Sequence, residues 1–113
     1  MNNLSEKEQI ESHLCFGRMC YYGIPDLIES NKEKSLTIFK KGYKLAKEKE
    51  YIYLKRILYL YMYKSRKYLF KNNKITLRKL NKTKEKLFRI YEDTEESNLD
   101  IIELYNYYKL YKF

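Results

Sequence analysis

The stretch HLCFGRMCYYGIPDLIESNKEKSLTIFKKGYKLAKE, residues 13–48, decides the fold of this chain. Apolar side chains recur in it at helical spacing on both sides of a short segment that contains Gly23 and Pro25. Glycine tolerates the left-handed conformation that ends many helices, and proline prevents simple continuation of a helix. The stretch therefore predicts two amphipathic helices joined by a turn, with small residues where the helices would touch.

The sequence on either side of this stretch extends the helical pattern. Ser5 with Glu8, and Ser30 with Glu33, are capping-box pairs that predict the starts of the first two helices. The third helix is apolar almost all round, which is typical of the most buried helix of a domain. Because the connections are short, neighbouring helices should be antiparallel. The predicted helices are Glu6–Tyr22, Lys32–Lys47, Glu50–Phe70, Lys74–Asp93 and Leu99–Lys112.

Length and composition agree with a single all-α domain over residues 1–113. Three glycines and one proline are too few for the many tight turns of a β-sandwich or barrel. We therefore predict an all-α fold in which antiparallel helical hairpins stack as a short, solenoid-like bundle of about five helices.

The N-terminus and the cysteines predict the cellular compartment. The first residues are polar and acidic, unlike a signal peptide, and no apolar run reaches the roughly 20 residues of a membrane span. Cys15 and Cys20 lie five residues apart in one predicted helix, where a disulfide is geometrically unfavourable. We expect a cytoplasmic protein with two reduced, buried cysteines and no membrane partner.

The segments FGRMCYYGI and NKEKSLTIFKKGYKLA resemble the Sel-one-like repeat, a relative of the tetratricopeptide repeat. The positions that match its small, aromatic and turn residues are Gly17, Gly23, Ser35, Phe39 and Gly42. The resemblance covers residues 13–48, about a third of the chain, so residues 49–113 would be divergent helices with a C-terminal cap. It implies a right-handed helical solenoid that binds other proteins and holds no cofactor. Gly17 and Gly42 would permit a close helix crossing, with Phe39 beside them.

The sequence offers little material for catalysis or for a metal site. His13 is the only histidine, and His13, Cys15 and Cys20 point in different directions around one predicted helix. A structural zinc site requires four convergent ligands, and nucleophilic catalysis requires a base beside a serine or cysteine. We therefore expect a non-enzymatic protein without metal or cofactor.

Charge is distributed unevenly along the chain. The formal net charge of +9 divides into −2 for residues 1–34, +5 for 35–63, +10 for 64–89 and −4 for 90–113. The acidic C-terminal segment could neutralise the basic block by packing against it, or the block could form a positive face for an anionic partner. An ordinary solvated lysine-rich face is the third interpretation.

The basic block contains a regular pattern of cations. Lys74, Arg78, Lys82 and Lys86 recur every four residues, which on a helix forms one continuous stripe of mutually repelling charges. Aromatic residues interleave with the cations of the preceding helix, a combination that suits single-stranded nucleic acid. A tyrosine-rich fifth helix adds a second candidate surface. The predicted partner-binding residues are Lys67, Lys71, Lys74, Arg78, Lys82, Lys86, Arg89 and Tyr107.

These observations favour a protein-binding module that acts through a helical-hairpin surface and the basic stripe. An acidic protein surface is the favoured partner, RNA or single-stranded nucleic acid is the alternative, and the tyrosine-rich helix could form a homodimer contact. A different class of function is an anti-CRISPR-like inhibitor of a host defence nuclease, encoded by a phage or mobile element. Small size, the isolated repeat, the basic face and a composition typical of AT-rich bacterial genomes motivate that alternative.

Overall fold

The computed structural model describes residues 4–95, 98–100, 103–106 and 109. Its helices are α1 (Glu6–Tyr22), α2 (Lys32–Glu48), α3 (Ile52–Lys71) and α4 (Leu77–Glu92), and residues 103–106 and 109 belong to a fifth helix, α5. The described residues contain no β-strand, and the predicted all-α fold is confirmed. Among these residues, no helix combines the length and apolar character of a membrane span.

Side-chain caps determine where the first two helices begin. Ser5 and Glu8 form the predicted capping box, each side chain accepting from the other residue's backbone amide. Helix α2 begins at Lys32, as predicted, but its N-cap is Asn31 and not the predicted Ser30. Ser30 instead donates its hydroxyl to the carbonyl oxygen of Tyr21 at 2.8 Å, so it caps the end of α1.

Gly23 ends α1 and begins the turn to α2. Its φ of 74° lies in the region that favours glycine, but its ψ of 168° is extended, so the predicted left-handed helical conformation is not adopted. Its amide donates to the carbonyl oxygen of Met19 at 2.8 Å. Two backbone hydrogen bonds between Ile24 and Ile28, of 2.7 and 2.8 Å, then close a small loop.

The two helical glycines lie where α1, α2 and α3 approach one another. A Cβ at Gly17 would lie 2.5 Å from Cδ1 of Phe39, and a Cβ at Gly42 would lie 2.8 Å from Cβ of His13 and 3.0 Å from Cδ2 of Leu58. Residue 17 meets residue 39 and the earlier residue 13 meets the later residue 42, so the two helices are antiparallel. Side chains larger than hydrogen would force them apart.

Helix α3 is central, as its apolar sequence predicts. Phe39 of α2 stacks on Tyr61 with ring centroids 5.1 Å apart, and Ser35 and Ser65 form a buried hydroxyl contact of 3.3 Å. The residues of α3 that are buried include Leu54, Arg56, Leu69 and every residue of the range 57–63. Helix α3 is therefore the central helix, against which the other helices pack.

The last described segment is attached to the first half of α3. Arg56 donates from Nε and one terminal nitrogen to the two carboxylate oxygens of Glu103, at 2.7 and 3.2 Å, and also to the carbonyl oxygen of Asn98. Tyr53 donates to Asp100 at 2.6 Å. Because residue 53 meets 100 and residue 56 meets 103, α5 runs in the same direction as α3.

Candidate functional site

A groove of about 590 Å³ opens over the C-terminal half of α3. Three further elements contribute to it: the last turn of α1, one residue of α4 and the described part of α5. We call it the lysine–tyrosine groove. Its described lining residues are Tyr21, Tyr22, Leu60, Tyr63, Lys64, Lys67, Tyr68, Lys71, Lys84, Tyr105, Asn106 and Lys109.

Helical spacing explains why α3 contributes so many of these residues. Positions three or four residues apart share one face of a helix, and the lining residues of α3 follow that spacing from Leu60 to Lys71. The chain reverses at Gly23, so α1 ends beside this face. Helix α5 is held alongside α3 by the Arg56–Glu103 pair, and it contributes the groove residues Tyr105, Asn106 and Lys109.

The groove carries five lysine side chains and no carboxylate among its described lining residues. The pKa of Lys64 is lowered by burial and then by the charges of Lys109 and Arg18, although Tyr22 acts in the opposite direction. Burial also lowers the pKa of Lys67, with further contributions from three of the other groove lysines, Lys71, Lys109 and Lys84. The ammonium groups of Lys64 and Lys67 are therefore partly desolvated and are repelled by neighbouring positive charges.

The acids described near the C-terminus lie at the other end of α3. Asp100 accepts the hydroxyl of Tyr53, and Glu103 pairs with Arg56. Both contacts precede the groove along α3. The carboxylate of Glu103 is thus paired with the buried Arg56 and not with a cation of residues 64–89.

Aromatic rings provide the other half of the groove surface. Tyr22, Tyr68 and Tyr105 keep 57%, 47% and 66% of their area exposed. The Tyr22 ring packs edge-on against Tyr21 at 4.8 Å between centroids and against Tyr61 at 6.4 Å, so it is held without being covered. The groove thus presents exposed aromatic rings beside mutually repelling ammonium groups.

The structure divides the predicted basic stripe among several surfaces. Lys67 and Lys71 line the groove. Lys74 was wrongly placed on a helix, because it lies in the turn before α4, where it pairs with Glu33 at 3.0 Å. Lys86 holds its ammonium 5.2 Å from the ring centroids of both Tyr43 and Tyr59.

The remaining cations of the stripe face solvent. Arg78, Lys82 and Arg89 are exposed on the side of α4 opposite its buried residues, which we call the outer face of α4. They do not line the groove. Tyr107 lies outside the described residues. The role of all these residues in partner binding stays a prediction.

Both cysteines were expected to be buried, and this was wrong for Cys15. Cys20 is buried, but Cys15 is exposed, and both are free thiols. His13 contacts the carbonyl oxygen of Gln9 at 2.8 Å through Nδ1. Within the described ranges, no three histidine, cysteine, aspartate or glutamate side chains are grouped so that they could hold a metal ion.

No protein-family model, no curated protein and no solved structure matches this chain. The resemblance of α1 and α2 to a Sel-one-like repeat therefore stays a prediction. Its residues Gly17, Ser35, Phe39 and Gly42 are buried between helices, which is a packing role.

Sequence reasoning missed several groove residues. Lys84 was passed over because it does not belong to the four-residue stripe, although its distance of four from the buried Leu80 placed it near the inner face of α4. Nothing in the sequence around Tyr21 and Tyr22, apart from their being tyrosines, indicated that they line a groove. Lys109 could not be connected with Lys64 from sequence, because their proximity depends on the direction in which α5 docks.

Proposed function

We propose that this chain is a non-enzymatic binding protein that holds an extended anionic partner in the lysine–tyrosine groove. The observation that supports this most is the set of five lysines with no carboxylate among the described lining residues. The same residues include no histidine or cysteine. What the groove offers a partner is positive charge, hydroxyl groups and aromatic rings.

Electrostatics explains why such a groove favours an anion. Partly buried ammonium groups lose hydration, and their mutual repulsion adds to the cost of keeping them charged. A polyanion that enters the groove supplies the missing counter-charge at short range. The exposed cations on the outer face of α4 add to the positive field that attracts such a partner from a distance.

This proposal differs from the sequence-based one in location. The helical-hairpin surface and the continuous stripe are replaced by a groove that includes two of the predicted residues, Lys67 and Lys71. The nuclease-inhibitor alternative stays a prediction.

The test compares two charge reversals of equal size. Lys67→Glu with Lys71→Glu alters the groove, and Arg78→Glu with Lys82→Glu alters the outer face of α4. Each pair lowers the formal net charge from +9 to +5, since each of its two substitutions replaces a positive charge with a negative one. Heparin serves as a generic polyanion, and its dissociation constant is measured by titration calorimetry.

We expect the groove pair to weaken heparin binding about tenfold or more, which corresponds to about 1.4 kcal/mol. The outer-face pair should weaken it by about threefold or less, because exposed charges there are screened within about 8 Å at physiological salt. Equal losses, or a larger loss for the outer-face pair, would contradict the proposal. Circular dichroism checks that both variants remain folded.

A further inference from the structure

We infer that the anionic partner is single-stranded nucleic acid, whose phosphates contact the groove lysines and whose bases stack on Tyr22, Tyr68 and Tyr105. This inference rests on the proposed function and specifies its partner. It combines three observations: the type of cation, the arrangement of the cations and the exposure of the aromatic rings.

The type of cation distinguishes a phosphate chain from an acidic protein. The described lining residues include five lysines and no arginine. Protein–protein interfaces are depleted in lysine, so a lining with five lysines is untypical of a contact with a folded protein. Lysine binds phosphates as a point charge on a flexible stem, which can follow phosphates whose positions vary. The lysine content therefore counts against a folded protein partner and is compatible with a phosphate chain.

The arrangement of the cations favours a chain over a small anion. Lys64, Lys67 and Lys71 extend over about 10 Å along α3, at about 1.5 Å per residue. Lys84 and Lys109 add charge from α4 and α5. Five cations spread over three helices provide a path for several consecutive phosphates.

The exposed rings distinguish a single strand from a duplex. In a duplex the base faces are stacked on one another, whereas the bases of a single strand are free to stack on aromatic side chains. Tyr22 belongs to α1, Tyr68 to α3 and Tyr105 to α5, so the rings lie on three of the elements that form the groove. Stacking of this kind tolerates any base, so we expect little sequence preference.

The test uses three fluorescent probes of equal charge. These are an oligothymidylate of about 12 nucleotides, an abasic oligonucleotide of the same length, and a polyglutamate peptide. Fluorescence anisotropy of the full chain should show that oligothymidylate binds at least about tenfold more tightly than either of the others. A blunt duplex should compete less well than the single strand.

Tyrosine variants test the stacking directly. Tyr68→Ala with Tyr105→Ala should reduce the preference for oligothymidylate over the abasic probe to about twofold or less. Tyr68→Phe with Tyr105→Phe keeps both rings and should preserve the preference. If the alanine pair does not fold, the comparison of the probes on the unchanged chain decides the question.

The outcomes separate this inference from the proposal on which it rests. Equal binding of the abasic and thymidylate probes, both weakened by Lys67→Glu with Lys71→Glu, would overturn the inference and leave the polyanion groove intact. Tighter binding of polyglutamate would overturn it in favour of an acidic protein. If that lysine pair changes the binding of no probe, the proposed function itself is wrong.

Discussion

Arg56 and Lys64 lie about two turns apart on α3, but they differ in whether a carboxylate of the described chain accompanies their charge. Arg56 is 5% exposed and donates two hydrogen bonds to the carboxylate of Glu103. Lys64 lies in the groove, where no described carboxylate comes within ion-pair distance and burial lowers its pKa. Within the part of the chain that the structure describes, Arg56 in the first half of α3 is paired with a carboxylate, and the groove lysines of the second half are not.

This difference separates charges that support the fold from charges available to a partner. A buried charge is tolerated when a carboxylate and further hydrogen bonds accompany it, as they do for Arg56. Several cations placed together without a carboxylate make the fold slightly less stable, and that cost is removed only by an anion from outside the chain. Variants at the contacts of the first half of α3, at the crossing of α1 and α2, and in the groove measure this difference.

The largest effect should follow from removing the partner of Arg56. Glu103→Ala leaves a buried guanidinium without its carboxylate, and we expect the free energy of unfolding to fall by about 3–5 kcal/mol. Chemical denaturation measures the loss. In the matched double variant Arg56→Met with Glu103→Leu no charge remains, so stability should return close to that of the unchanged chain. A loss of less than about 1 kcal/mol for Glu103→Ala would mean that the pair does not hold α5.

A steric change where α1 crosses α2 should have the next largest effect. Gly17→Ala places a methyl group against Phe39, which is fully buried and stacked on Tyr61 and so cannot move aside. Overpacking costs about 1–3 kcal/mol, and the better helix propensity of alanine returns up to about 1, so we expect a net loss of about 1–2 kcal/mol.

The control for that change makes room for the methyl group. In a Phe39→Leu background the same Gly17→Ala substitution should cost less, since the ring that blocks it is gone. A denaturation midpoint that does not respond to Gly17→Ala would contradict the close crossing of α1 and α2.

A smaller effect is expected at the hydrogen bond between Tyr53 and Asp100. Tyr53→Phe should lower stability by about 1 kcal/mol near neutral pH. That bond, with burial and nearby carboxylates, raises the pKa of Tyr53 from 10.0 to about 12. Because the folded pKa is the higher one, the contribution is present below pH 10 and is lost as pH rises through about 12. Denaturation at several pH values should show the two proteins converging in that window, and a constant difference would contradict the assignment.

The smallest effect has the opposite sign. Lys67→Gln removes one of the mutually repelling groove charges, so we expect the chain to become more stable by up to about 0.5 kcal/mol, the usual range for an exposed site. The folded pKa of Lys67 is lowered, so this gain should be present at neutral pH and fade as pH rises through that lowered value.

The control is Lys82→Gln on the outer face of α4, which should leave stability unchanged. Thermal unfolding compares the two variants. Heparin binding should weaken more for Lys67→Gln than for Lys82→Gln. A clear loss of stability at Lys67 would show that its charge already has a partner within the chain.

Much of the fold was predictable because helices depend on local signals. The capping box at Ser5 and the glycine at position 23 set α1 at Glu6–Tyr22, as predicted. The start of α2 at Lys32 was also predicted, and the other bounds of α2, α3 and α4 differ by one to three residues. The largest difference is at the start of α4, where Thr76 is the N-cap. Periodicity alone could not identify the Thr76 hydroxyl as the cap, because Lys74 and the cations after it already follow helical spacing.

The site was predictable only in part. The count of charges along the chain led to the prediction of Lys67 and Lys71 as binding residues. It could not show that Arg78 and Lys82 lie on a different surface, because that depends on which side of α4 faces the core. One available signal was not used. Arg56 stands within an apolar run of the central helix, so it would be buried and would require a carboxylate from elsewhere in the chain.

An NMR titration of the chain with oligothymidylate shows directly whether the anionic strand binds in the lysine–tyrosine groove. We predict that the largest chemical-shift changes occur along the groove, at Lys64, Lys67 and Tyr68, with saturable behaviour. The largest changes at Arg78 and Lys82 on the outer face of α4, with the groove signals unmoved, would contradict binding in the groove.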